Sequence, residues 1–186
     1  YGPNVDAHAL QMVIIAVRKL PTTWTTTLDP VVKVRLARAG SRALGPIVAQ
    51  TTALRDVRQA DAEFHERLPD IIVDGDEQVI CTCWDDNNSK SGVLFNLGIV
   101  AEDFWGDALI GRIVIPLRKY GPRLLLGEHI RITQKMMLQA EDEGEAEMVV
   151  EFGFRPLDAD DASDDGFEAV AGVYSERLRE DYTKFM

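Results

Sequence analysis

The stretch from Val79 to Leu117 constrains the fold more than any other part of the chain. Val79-Ile80-Cys81-Thr82-Cys83-Trp84 is a β-branched, apolar run that turns polar at once in Asp85-Asp86-Asn87-Asn88. A second run, Gly106 to Leu117, starts at a glycine and carries Pro116 near its end. Such runs favour extended backbone. Two strands therefore flank one long loop, and that loop is where a partner is expected to bind.

The same pattern recurs along the chain. Strands are predicted over 10–20, 31–36, 47–54, 64–73, 79–84, 109–117, 128–137 and 146–154, with turns at Gly40 to Pro46, Asp74-Gly75-Asp76, Gly121-Pro122 and Glu141 to Gly144. Short strands at this spacing, separated by polar turns, define an all-β chain: an eight-stranded antiparallel β-sandwich. In Val31-Val32-Lys33-Val34-Arg35-Leu36 apolar and cationic residues alternate, which places Lys33 and Arg35 on one face. Cys81 and Cys83, the only cysteines, lie on one face of their strand and are poorly placed for a mutual disulfide. They read as reduced thiols of a cytosolic domain.

Four segments follow from this pass: an amino-terminal tail over 1–6, the sandwich over 7–157, an acidic linker over 158–166, and an amphipathic helix over 167–186. In the last, Phe167, Val170, Tyr174, Leu178, Tyr182 and Phe185 recur at steps of three and four. A start at Tyr1 suggests a fragment of something longer. The formal charge of −11 lies wholly in Glu141–Met186, which holds 15 acidic and 4 basic residues, while Tyr1–Arg58 carries 8 basic against 3 acidic. An acidic chain can thus keep a basic face for anionic phosphates.

The order of motifs resembles a C2 domain, the calcium- and lipid-binding β-sandwich module. Leu28-Asp29-Pro30-Val31-Val32-Lys33-Val34 looks like the strand that this family enters through an Asp-Pro step. Phe64-His65-Glu66-Arg67-Leu68 is similar to its Trp-Asn-Glu-x-Phe strand. Cys83-Trp84-Asp85-Asp86-Asn87 and Ile110 to Leu117 resemble the strands that bound its third loop. Glu145 to Pro156 as the closing strand implies the permuted, type II topology, with Leu10 to Leu20 as first strand.

The resemblance implies a calcium site built from five carboxylates, and this chain matches it incompletely. Asp29 and Asp85 fall on two of the positions, Asn87 puts a neutral amide on a third, and Asp107 is displaced by one from a fourth, where Ala108 stands. The remaining position, among Thr23, Trp24 and Thr25, lacks a carboxylate. Hard cations need about six to eight converging oxygens. The expectation is that calcium is dispensable, with Asp29 and Asp85 capping loops through backbone amides.

Two further features bear on function. Lys33, Arg35, Arg38 and Arg42 lie where C2 domains often keep a lipid-headgroup patch, and read either as that patch or as a solvated strand face. The apolar run with Val93, Leu94, Phe95 and Leu97 reads either as packing on the sandwich or as entering a bilayer together with Trp24. The acidic residues Asp158 to Asp165 are complementary in charge to the cationic patch, and a second expectation is that they cover it in the free protein, an autoinhibitory contact. His8, His65 and His129 are scattered, and no His-Glu-x-x-His, Gly-x-Ser-x-Gly or phosphate-cradling Gly-Lys-Ser/Thr pattern is present.

The expected function is therefore a non-catalytic, cofactor-free C2 module of a larger protein, cytoplasmic and peripheral to membranes, that binds anionic phospholipids or phosphoinositides. The other reading is a protein-interaction module in a scaffold, trafficking or cytoskeletal assembly. Nucleic acid is not expected as a partner, since interleaved aromatics are missing.

Overall fold

A computed structural model describes residues 7–20, 28–41, 45–86, 108–138 and 145–157. Alternating burial along apolar runs generates ten strands among these residues: β1 His8–Arg18, β2 Pro30–Arg38, β3 Ile47–Gln50, β4 Ala62–Arg67, β5 Ile71–Val73, β6 Glu77–Asp85, β7 Ala108–Pro116, β8 Ile130–Lys135, β9 Met137–Leu138 and β10 Glu147–Pro156. One helix, α1, spans Leu117–Leu125 between β7 and β8.

The strands form two antiparallel sheets. One has the order β4-β1-β10-β8, with β5 also pairing β1; the other runs β3-β2-β6-β7-β9. Their inner faces supply one core: Leu10, Met12 and Ile14 of β1 and Met148, Val150 and Phe152 of β10 meet Val32 and Val34 of β2, Cys81 and Cys83 of β6, and Ile113 and Ile115 of β7. Burying each such side chain is worth about 1.5–3 kcal/mol. The all-β sandwich read from the sequence is the observed architecture.

Two predicted strands are divided. The run 64–73 breaks at Leu68-Pro69-Asp70, because Pro69 has no N–H for a ladder, and Leu68 N–H turns inward to the Met12 carbonyl at 2.9 Å. The run 128–137 breaks at Met136, whose side chain is buried and whose N–H reaches Ala146 O at 2.8 Å. In β4, His65 adopts φ 47° where the register against β1 shifts between Ile14 and Ala16. The left-handed region admits Asn, Asp and His more readily than most residues. That suits a position that the resemblance assigns to Asn.

The predicted Gly121-Pro122 turn is corrected: both residues lie inside α1. A proline there removes one intrahelical hydrogen bond. Tertiary packing outweighs that loss, since Leu117 and Leu124 are buried in the core and Tyr120 meets Phe152 edge-on with ring centroids 5.3 Å apart. The predicted helix at 167–186, the linker and the tail over 1–6 lie outside the described residues.

Register places every element at one of two poles. Asp85 is opposite Pro30 and Ala108, so Asp29, the end of β6 and the start of β7 share one pole. Pro116 is opposite Gln78, and α1 leads from it to β8, whose Ile130 is opposite Phe152, so α1 and the last part of β10 share the other.

Candidate functional site

At the first pole three aspartates come together around one arginine. Asp29 sits just before β2 and is only 2% exposed. Its N–H donates to Asp85 Oδ1 at 2.7 Å, and its carbonyl accepts the Asp86 N–H at 2.8 Å. The β2–β6 pair is thereby clamped at its end. Asp29 Oδ1 in turn accepts the Asp56 N–H at 2.7 Å, and Oδ2 lies 3.5 Å from Arg55 Nη1. The other guanidinium nitrogen, Nη2, reaches Asp86 Oδ2 at 2.9 Å.

Arg55 arrives from the segment that follows β3. That segment is held against β2 by Thr51 N–H to Val32 O at 2.9 Å and Leu54 N–H to Pro30 O at 3.0 Å, and by the Leu28–Val57 bridge. Its far side is fastened by Glu66 of β4, whose carboxylate accepts the Thr52 N–H at 2.9 and 3.0 Å.

Among the described residues the fit of a calcium ion at Asp29 is poor. The oxygens of Asp29 already accept a backbone amide and face a guanidinium, so a cation would have to displace Arg55 against its charge. Among the described residues no group of three or more His, Cys, Asp or Glu side chains is arranged to hold a metal. Asn87 and Asp107 of the expected ligand set lie outside the described residues, as do Trp24, Val93, Leu94, Phe95 and Leu97.

The cationic residues lie elsewhere. Val32, Val34 and Leu36 point into the core, so Lys33 and Arg35 stand on the outer face of the second sheet, at half-buried positions. The register across that face runs Gln50, Lys33, Thr82, Arg112, Met137. Two cations thus flank a buried threonine, on strands two apart and therefore about 10 Å from each other along the row. Lys33 Nζ lies 5.2 Å from the centroid of the Trp84 ring, a cation–π contact, and the indole N–H donates to Thr82 Oγ1 at 2.7 Å. The Thr82 hydroxyl reaches the Lys33 carbonyl at 3.1 Å.

Arg35 donates from Nη1 to the Gly45 carbonyl at 2.8 Å, which ties it to the segment before β3. Arg38 is exposed at the end of β2, opposite Glu77. There the Glu77 side chain, and to a lesser degree the charge of Arg38, hold the Asp74 carboxyl below its usual range. Arg42 lies outside the described residues. Arg112, Trp84 and Arg55 were not singled out from the sequence. For Arg112 the signal was available in the alternation of Ile110, Arg112 and Val114 with the core positions of β7, whereas nothing local marks Arg55.

The two sheets, their strand order and the pole of loops define the C2 fold. The first C2 domain, domain A, of plant extended synaptotagmin 1 matches with a TM-score of 0.53 at 14% identity, over 84% of this chain and 99% of that one. Human GIVD cytosolic phospholipase A2 matches with a TM-score of 0.53 at 17% identity, over 82% of this chain and 17% of that one. Extended synaptotagmin 2, in a structure of its SMP domain and two C2 domains, matches with a TM-score of 0.50 at 12% identity, over 81% of this chain and 28% of that one. This chain thus spans a small part of those two longer proteins. No protein-family model and no curated protein sequence matches it. Among the described residues no helix is long and apolar enough to cross a membrane.

Proposed function

We propose that this domain is a non-catalytic module that attaches peripherally to anionic phospholipid and does so without calcium. The observation that carries the reading is the outer-face row Lys33, Thr82, Arg112, with Trp84 beside it. Two cations about 10 Å apart on one sheet face, with the Trp84 ring bracing Lys33, suit an anionic headgroup, and each basic residue near an anionic leaflet contributes about 1 kcal/mol. Arg35 and Arg38 extend the same strand toward the second pole.

Calcium independence is supported by Arg55, which supplies at the loop pole a positive charge facing Asp29 and Asp86. The company the fold keeps is also compatible, since one solved neighbour is named a phospholipase and two are extended synaptotagmins.

Co-sedimentation with phosphatidylcholine vesicles, with and without phosphatidylserine or phosphoinositide, in calcium or in chelator, tests the proposal. Binding to the anionic vesicles alone, unchanged by chelator, is the expected result. A chain that never pellets with anionic vesicles would return the module to the protein-interaction reading.

A further inference from the structure

The second pole carries a surface that the lipid reading does not use. Helix α1 has two unlike faces: Leu117, Tyr120 and Leu124 pack inward, while Arg118, Lys119, Pro122 and Leu125, with Leu126 that caps its end, are exposed. Leu125 and Leu126 are 65% and 80% exposed, two of the three large apolar side chains so exposed among the described residues. Pro122, Leu125 and Leu126 stand at i, i+3 and i+4, so they form one apolar strip.

The charges of the helix are placed against its own dipole. Arg118 and Lys119 occupy the first turn, which holds no acidic residue, and Pro116 makes no side-chain capping bond. Cations at that end are disfavoured by the helix dipole. Neither residue has a carboxylate partner among the described residues, whereas Arg123 at the other end is paired with Glu128 at 2.7 Å. An anion from outside the sandwich is what this first turn lacks.

The chain itself leads such an anion to the spot. Strand β10 ends at Pro156, at the same pole, and α1 packs on β10 through Tyr120 and Phe152. Of the eight residues 158–165 that follow, five are aspartate, and the apolar recurrence from Phe167 to Phe185 comes directly after. Eight residues reach at most about 28 Å, enough to arrive at either end of α1. Tethering also raises the local concentration to the millimolar range.

We propose that the outer face of α1 is the docking surface for the chain's own segment 158–186, its aspartates over Arg118 and Lys119 and its apolar residues on Pro122, Leu125 and Leu126. The surface is distinct from the Lys33–Arg112 face, so the docking proposed here differs from one in which the aspartates cover the cations of that face.

Zero-length carbodiimide cross-linking of the full chain, mapped by mass spectrometry, tests this. The expected product joins Lys119 to a carboxylate between Asp158 and Asp181, within a single molecule when normal and 15N-labelled chains are mixed. The Leu125→Ser, Leu126→Ser double variant changes only exposed positions and lowers that yield by at least about tenfold, the lower bound for removing two apolar contacts. Three results would overturn the proposal: cross-links to Lys33 in place of Lys119, mixed-isotope pairs that report a second copy, or an unchanged or absent product in the double variant and the parent alike.

Discussion

Arg55 Nη2 lies 2.9 Å from Asp86 Oδ2, and the same guanidinium faces the buried carboxylate of Asp29 at 3.5 Å. One side chain from the segment after β3 thereby ties together the chain entering β2 and the chain leaving β6. Replacing Arg55 by Met removes the counter-charge and leaves Asp29 buried. Because Arg55 itself is half exposed, solvent tempers the loss to about 1–2 kcal/mol. Urea unfolding should show the lower midpoint with an unchanged slope; an unaltered midpoint would mean that the pair is idle.

The row of Lys33, Thr82 and Arg112 makes a second prediction. Lys33→Glu with Arg112→Glu reverses two outward charges without touching the core, so folding by circular dichroism stays the same. Affinity for phosphatidylserine vesicles falls by at least about tenfold, given roughly 1 kcal/mol for each basic residue lost. Arg131→Glu, exposed on β8 of the other sheet, serves as the control and leaves it unchanged.

One glycine is held by its neighbours and another by the proline that follows it. At Gly111 of β7 a Cβ would meet Met137 O and Leu138 Cδ2 at 3.0 Å and Met136 Cβ at 3.2 Å, so Gly111→Ala should cost about 1–3 kcal/mol as β9 is pushed off. At Gly121 the tertiary surroundings leave room for a Cβ, but Pro122 follows, and its ring crowds the Cβ of a helical residue before it; that cancels the usual gain of about 0.5–1 kcal/mol for alanine in a helix. Thermal unfolding of both variants checks this: Gly111→Ala should be clearly destabilised and Gly121→Ala should not be stabilised, and a stabilised Gly121→Ala would refute the role given to Pro122.

Burial pushes both the Cys81 and Cys83 thiols up to about 12 from the ordinary 9.0, with the Asp85 charge adding to the effect at Cys83. A group whose value is raised on folding contributes stability that is complete below its unfolded value and is lost as pH climbs toward the folded one. Stability should therefore decline from about pH 9, by up to about 1.4 kcal/mol per pH unit for each thiol. Urea midpoints between about pH 8 and 10.5 measure this, and Cys81→Ala with Cys83→Ala should flatten the slope. At about pH 8, iodoacetamide should modify the native thiols only as fast as the fold opens.

Much of this was legible in the residues because a strand has period two. The alternation in Val31 to Leu36 put Lys33 and Arg35 on one face, which the structure shows to be the outer one, and the spacing of Cys81 and Cys83 put both on one face, which proves to be the core. The Asp-Pro step that enters β2 and the Glu of the Phe64 strand also stand where the resemblance put them. Asp29 enters β2 beside Asp85, and Glu66 fastens the Thr52 amide.

What stayed hidden depends on partners far away in sequence. Residue type and parity decide which face a side chain takes, and the chain determines these by itself. Which cation stands beside Lys33 depends on the register of β2 against β6 and of β6 against β7, and that register brings in Arg112 from a distant strand. Gly121-Pro122 carries a turn signal, but the core sites filled by Leu117 and Leu124 hold those residues in a helix. Asp29 falls on a ligand position that the resemblance implies, and only the fold shows Arg55 against its carboxylate. Local periodicity is a property of the backbone and is written in every segment, whereas charge pairing between distant segments exists only after the sheets have closed.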